Sequence, residues 1–521
     1  SWMEIAALEF QIDNGENSFL DIDTCDTWES TVEYTVEQLL SMSSWLDERK
    51  KEDNSEVVRE YVDPDKLNKE QRRAYNIVTE HFNNGVMDPL FFIIAGAAGC
   101  GKSYVLNCLR QALGKNCIVA SFFGIAAFSI GGQTLHSLLQ LPIRGKNRNK
   151  LKGLQLAKLQ ERLQNVKYII IDEFSVIGQK MLSWIDSRCR QGKALEHLPF
   201  GGISVILVGD VAQLPPVLDK PLYHRKPGNE VDVAGLSVYY LFTDIVILKV
   251  NQRCNSDDQE KFRNLLLNVR NGVCTVDDWN LLMTRSSSLL TNELTPSHVR
   301  LSFSNDSVQK ENLELMRSLQ QPIVLIHARH SKPGASKLSP EEFGGLEAKL
   351  KICLGARVML TRNLWTGKGL CNGSMGYVVD IVYRENEGPP GLPICVIIQF
   401  DKYTGPSFLD KPKCVPIIPV TAVAELQYSG IERQQLPLKL SWAITIHKAQ
   451  GLTLDKVYLD IGLKEYFDGL TYVALSRVKE LENMILRPFS FERLQSICKI
   501  KSFKFRKLEE ERLQTLALNM Q

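Results

Sequence analysis

With 521 residues, 44% of them hydrophobic and 23% charged, the chain exceeds what one hydrophobic core organises, and two or more domains are expected. Its apolar runs fall short of the roughly 18–20 residues that cross a bilayer, and Ser1-Trp2-Met3-Glu4 begins no basic-then-apolar leader, so neither a membrane protein nor a secreted one is expected. The net charge of +2 divides into −14 over residues 1–65 and +16 over the rest, and a basic body suits a polyanionic partner.

Along the chain, residues 1–65 are acidic and weakly patterned. Residues 31–48 carry a helical pattern, but little rigid structure is expected before Tyr61. Asp63-Pro64-Asp65 marks a turn, and Asn68, followed by Glu70 and Gln71, caps a helix. Short apolar runs then alternate with helical segments, giving strands at 89–96, 117–120, 168–171 and 204–208 and a helix at 102–113. Such alternation predicts a parallel sheet with helices on both faces, an α/β fold. The second half repeats it less clearly, with strands at 245–248, 299–303, 457–459 and 484–486. Residues 365–437 become strand-rich and turn-rich, as a small inserted β domain would be. Twelve cysteines are scattered singly without a C-x-x-C pair, the pattern of reduced thiols in a cytosolic or nuclear compartment.

Gly96-Ala97-Ala98-Gly99-Cys100-Gly101-Lys102-Ser103 matches G-x-x-x-x-G-K-[ST] in full, after an apolar strand and before a helix. Glycines let backbone N–H groups turn inward around phosphate oxygens, and the helix N-terminus adds partial positive charge. Lys102 is expected to reach the β- and γ-phosphates of ATP and Ser103 to hold Mg2+, with Tyr104 beside them in the first helical turn. The strand at 168–171 ends in Asp172-Glu173, facing the same crevice as the loop. Asp172 is the candidate Mg2+ ligand, and Glu173 is the candidate for polarising the attacking water. The strand at 204–208 leads to Gly209-Asp210 and to Gln213, a candidate γ-phosphate sensor, with Pro215-Pro216 stiffening the loop beyond it. Arg253 and Arg477 are candidates for the guanidinium that neutralises charge on a transferred phosphoryl group. Cys100, inside the loop, is a candidate reactive thiolate, its pKa lowered by N–H groups, the helix terminus and Lys102, with a small buried filler as the alternative.

In this order the motifs resemble the Pif-one (petite integration frequency) type DNA helicases, in the 5′-to-3′ branch of helicase superfamily one, over roughly residues 66–495. Leu67-Asn68-x-x-Gln71 resembles the adenine-reading Q motif. Phe123-Gly124 through Ala127 and Gly131-Gly132-x-Thr134-Leu135-His136-Ser137 are similar to motif Ia, and Asp172-Glu173 to motif II, with the turn Pro199 to Gly202 following it. Gln252-Arg253 resembles motif IV, followed by Asn268-x-Arg270-x-Gly272. Trp442 through Gly451 resembles motif V and Tyr472 through Arg477 motif VI. The closing stretch, Gly469 to Lys479 and then Pro488-Phe489-x-Phe491-Glu492-Arg493-Leu494, is similar to the helicase half of Helitron rolling-circle transposases, without the H-x-H pair of their nuclease half.

The resemblance implies two RecA-like P-loop NTPase domains, at 66–245 and 246–521, behind an acidic extension at 1–65. A small wedge insertion at about 141–165, containing the basic run Arg144 to Lys152, and an SH3-like β subdomain at about 365–437 would complete it. It implies ATP and Mg2+ as cofactors, 5′-to-3′ translocation with duplex unwinding, and a monomer. Its DNA partners would be single-stranded and forked, with G-quadruplexes and RNA–DNA hybrids as further candidates. The compartment would be the nucleus, with the mitochondrion as the alternative, and the process repair, recombination, telomere maintenance or transposon replication. Single-stranded DNA is expected to cross both domains, touching Thr134, His136, Thr445, His447 and Lys448. Phe174 replaces the aliphatic residue usual after Asp-Glu and is expected to pack behind the site.

Overall fold

Six strands build the first sheet: β1 (Phe91–Gly96), β2 (Cys117–Ser121), β3 (Gln133–Thr134), β4 (Tyr168–Asp172), β5 (Ser204–Gly209) and β6 (Asp244–Leu248). They run parallel in the order β3-β2-β4-β5-β1-β6. The computed structural model describes residues 24–53, 61–142, 150–250, 252, 257–290, 293–295, 297–424 and 430–520. Alternate strand residues enter two different cores. Ile93, Ile169 and Val205 meet Leu182, Ile185 and Tyr239 on one face, while Phe92, Ile170 and Ile206 meet Val105 and Leu109 on the other. Burial on both faces explains why these strands read as unbroken apolar runs. One expectation is corrected: the strand at 245–248 belongs to this sheet, where β6 pairs with β1 from Phe92↔Asp244 to Gly96↔Leu248. The first domain therefore extends past residue 245, because a parallel edge strand is assigned by its partner and not by its place in the sequence.

The second sheet has four parallel strands, in the order Ala443–Thr445, Val299–Ser302, Val457–Asp460, Met484–Leu486. Ala443–Thr445 is too short to stand out in the sequence. Between Val299–Ser302 and Ala443–Thr445 lies an antiparallel sheet in the order Cys414–Ile417, Cys395–Phe400, Met375–Val382, Arg357–Leu360, Leu438–Leu440. Its strands begin before residue 365 and end after 437, since strands of three or four residues show no readable alternation.

Residues 24–53 of the acidic segment correct the expectation of little structure before Tyr61; residues 1–23 and 54–60 lie outside the described residues. Cys25 N–H donates to Ile323 O at 3.0 Å, the Trp28 indole N–H to Ile381 O at 2.8 Å, and the Tyr34 hydroxyl to Asp380 at 2.7 Å. Met42 and Trp45 enter the core of the β domain, with Trp45 edge-on to Phe408 at 5.6 Å. The single helix suggested for 31–48 is two, Val36–Ser41 and Trp45–Glu52. Trp28, Tyr34, Met42 and Trp45 lie on no single continuous element, so their burial is invisible until the β domain supplies the surface they cover.

The helix Lys501–Asn519 closes the chain across both domains. Phe503 packs in the core of the second domain and Leu513 in that of the first. Among the described residues no helix is long and apolar enough to cross a membrane.

Candidate nucleotide site and strand-binding face

β1 ends at Gly96, and the loop runs to Gly101, which has φ 73° and precedes the helix Lys102–Leu113. A Cβ at Gly101 would collide with the Gln71 carboxamide, so only glycine fits a position that is both left-handed and crowded. Lys102 lies back along the loop, donating to Gly96 O at 2.8 Å and Ala97 O at 3.0 Å. Ser103 is exposed at the helix start. Gln252 N–H donates to Gly99 O at 2.9 Å, so the chain leaving β6 rests on the loop.

Gln71 does not present itself to a base. It is 2% exposed, its Oε1 accepts from Asn68 N–H at 3.0 Å, and its Nε2 donates to Cys100 O at 3.1 Å. Its carboxamide is spent on a capping box and on bracing the loop from behind. Tyr104 likewise turns its hydroxyl away, to Asp63 O at 2.7 Å. Cys100 is also corrected. It is 3% exposed, and burial pushes its thiol above the usual range, with Lys102 pulling it down and Asp210 adding to the rise. Burial outweighs the loop's positive field, so the residue is a small filler rather than a reactive thiolate.

Asp172 and Glu173 stand at the C-terminal end of β4. Asp172 is buried, and burial first, then the charge of Glu173, push its carboxyl well up. Glu173 has φ 57° without being glycine, and its buried Oε2 has no hydrogen-bond partner. A strained acid with an orphaned oxygen, beside a carboxylate held above its range, fits a divalent cation and an ordered water. Among the described residues no three His, Cys, Asp or Glu side chains form a metal cage; magnesium in a phosphate site takes most of its ligands from phosphates and water. Phe174, buried against Gly209, packs behind these acids as expected.

The second domain meets this site closely. A Cβ at Gly469 would strike Ala212 O and the Gln213 backbone. Gln213 is buried, and its Oε1 accepts from Gln450 Nε2 at 3.3 Å, which also donates to Ser175 Oγ at 3.2 Å. Ala98 N–H donates to the Tyr472 hydroxyl at 2.7 Å, which donates to Asp210 Oδ2 at 3.0 Å. Arg270 grips the same carboxylate at 2.7–3.2 Å. Burial pushes Asp210 up, but Arg270 outweighs it and holds the carboxyl at about 2.

Arg477, expected at the phosphates, is 5% exposed and turned inward. Its guanidinium donates to Val473 O, Ala449 O, Leu452 O and Ser476 Oγ, all in the second domain. Arg253 lies outside the described residues, as do residues 143–149 of the expected wedge. Tyr472, Arg270 and Gln450 are the reaching side chains that sequence reasoning passed over, although each lay inside or beside a recognised motif.

On the face expected to meet the strand, Thr134 and Thr445 have matching roles. Each ends a strand and caps the next turn, Thr134 Oγ1 accepting from Ser137 N–H at 3.2 Å and Thr445 Oγ1 from Lys448 N–H at 3.4 Å. Thr134 is buried, which corrects its expected direct DNA contact to a capping one. His136 packs edge-on to Phe122 at 5.4 Å and His447 to Phe467 at 4.8 Å. Burial lowers both imidazoles, His447 to about 4, so both are neutral at pH 7. Lys448 is exposed. Lys439, unmarked in the sequence, joins it: burial first and then the charge of Lys448 pull its ammonium well down, a pair that a phosphate oxygen would relieve.

Residues 66–279 match the PIF1-like helicase family, and residues 345–381 match the 2B domain of DNA helicase Pif1. The chain is 30% identical over 458 residues to the ATP-dependent DNA helicase PIF1 of Danio rerio, covering 86% of this chain and 65% of that protein. It therefore spans just under two thirds of that relative's length. It is 29% identical over 411 residues to the ATP-dependent DNA helicase Pif1 of Campylobacter jejuni, 74% of this chain and 86% of that one. Among solved structures, the Pif1 helicase from Bacteroides in complex with ADP-AlF3 and ssDNA is similar with a TM-score of 0.64 at 27% identity, covering 85% of this chain and 97% of that one.

Proposed function

The chain belongs to the PIF1-like helicase family, and from that premise we propose that it is an ATP-dependent DNA helicase moving 5′ to 3′ along single-stranded DNA and opening forked duplexes. The observation that carries this reading is the joint between the domains: a phosphate-loop N–H, at Ala98, is bonded to the second domain through Tyr472. Phosphates arriving at or leaving the loop change a contact on which the relative position of the domains depends.

Lys102 exchanges its carbonyl partners for phosphate oxygens. Magnesium would be held by Ser103 and Asp172 and would supply positive charge against the phosphates. Glu173 orients the attacking water with its unpartnered oxygen, and Gln213, tied to Gln450, reports the γ-phosphate to the second domain. Lys448 and Lys439 take backbone phosphates, so little sequence preference is expected. Both domains and every group named here belong to one chain, as a motor working as a monomer requires.

The test is unwinding of forks carrying only a 5′ or only a 3′ tail. Opening of the 5′-tailed fork, with ATP and magnesium only, is expected. Opening of the 3′-tailed fork alone would reverse the polarity, and no ATP turnover in the presence of oligonucleotide and magnesium would remove the reading. Lys102→Ala is expected to cut turnover by at least about a hundredfold while single-strand binding persists.

A further inference from the structure

Arg270 sits near the end of the helix Asp257–Asn271 in the second domain and holds carboxylates from two other elements. Its Nε and Nη2 donate to both oxygens of Asp210, at the end of β5. Its Nη1 ion-pairs at 2.8 Å with Glu510, on the helix Lys501–Asn519. Its backbone oxygen accepts from Arg506 Nη2 at 2.9 Å. Asp210 is buried, and its remaining donors are the Tyr472 hydroxyl and Ala212 N–H. The helix that carries Glu510 is anchored in the first domain by Leu513 and by Glu509, which accepts from the Tyr239 hydroxyl at 2.7 Å. A continuous relay thus runs from Ala98 N–H through Tyr472, Asp210 and Arg270 to Glu510 and Lys507, the last pair 2.8 Å apart.

We propose that Arg270 is a positioning residue of the motor: bridging Asp210 to Glu510, it locks the phosphate-loop side of the cleft to the C-terminal helix and so couples strand binding to ATP turnover. This rests on the helicase reading above. The planar fork suits the task, since one guanidinium serves two carboxylates in fixed directions. Both carboxylates are largely shielded from water, and Asp210, whose other hydrogen-bond donors are neutral, cannot leave Arg270 without stranding a charge. A phosphate that takes the Ala98 N–H releases Tyr472 from the loop, and Arg270 is then what keeps Asp210 in register with the helix.

The experiment measures ATP turnover with and without oligo(dT), and fork opening per ATP, for the full chain, Arg270→Gln, Arg270→Lys and Glu510→Gln. For Arg270→Gln, stimulation of kcat by oligo(dT) should fall about tenfold, a larger loss than that of the unstimulated rate. Arg270→Lys should recover part of the loss. Glu510→Gln, which leaves the Asp210 contact in place, should lower fork opening per ATP at an unchanged unstimulated rate. It decides the matter if the Arg270 variants fail to fold. Wild-type stimulation and fork opening in Glu510→Gln and in any folded Arg270→Gln would overturn the proposal. So would an equal fall of both rates, which marks a merely structural role. If the wild-type chain itself shows no stimulated turnover, the helicase reading falls, and the proposal with it.

Discussion

Tyr472 and Ala98 lie 374 residues apart and share a 2.7 Å hydrogen bond, in which the loop N–H donates to the phenol. The second domain therefore occupies, through one hydroxyl, an N–H of the kind that phosphate loops turn toward their ligand. Tyr472→Phe keeps the ring and removes the hydroxyl, leaving Ala98 N–H without that acceptor and Asp210 without one donor. Nucleotide-free stability should fall by about 1–2 kcal/mol, and nucleotide should restore part of it. Denaturant unfolding with and without ADP checks this; an unchanged midpoint would show that the hydroxyl contributes nothing.

Asp172 and Glu173 carry a pH signature. Burial, and next the charge of Glu173, raise the Asp172 carboxyl on folding. A carboxyl raised on folding contributes its full stability below the unfolded pKa of about 3.9 and loses it as pH climbs through the folded value. Without divalent cation, stability should therefore decline as the pH is raised. Glu173→Gln removes the like charge and should shrink that decline, while lowering ATP turnover at least about a hundredfold. Melting midpoints in EDTA at pH 5 and pH 8 measure the first effect. An equal decline in both proteins would mean that the two acids do not interact.

His447 has the opposite dependence. Burial lowers its folded pKa to about 4, against about 6.5 unfolded. As pH falls below about 6.5 the unfolded imidazole takes up its proton first, so stability drops toward pH 4. His447→Gln should flatten that drop. Single-strand affinity between pH 6.5 and 8 should show no step that disappears in His447→Gln, because the ring is already neutral there. Such a step would mean that the ring charges on DNA.

Trp45 anchors the N-terminal segment, 6% exposed in the core of the β domain. Trp45→Ala should cost about 3–5 kcal/mol and open residues 24–53 to limited proteolysis, while ATP turnover persists. An unaltered proteolysis pattern would show that the other anchors hold the segment without it.

Much of the site was legible because its chemistry is local. Gly96 to Ser103 are consecutive, and their conformation is set by glycine freedom at Gly101, the strand before and the helix after. Asp172 and Asp210 each end an apolar strand, and parallel pairing brings such ends to one edge. The roles of individual charged and polar groups were less legible. An arginine in a sequence carries no record of its carboxylate. Arg477, in the expected motif, turned inward, while Arg270, beside a less conspicuous one, crossed to Asp210. Gln71 lies in a motif that resembles an adenine reader and Cys100 lies among the loop's N–H groups, but burial, which depends on the whole domain, decides both.

By itself, then, the sequence determined the phosphate loop, the strand–helix alternation around it and the acids at the strand ends. These depend on contacts between near neighbours and on the period of apolar residues. Only the tertiary structure decided which groups from the second domain touch the loop, that β6 closes the first sheet, that the acidic residues 24–53 dock on the β domain, and that the last helix ties both domains together. Each of those depends on surfaces meeting across hundreds of residues, where free energy comes from apolar area and buried charges that are complementary only once both partners have folded.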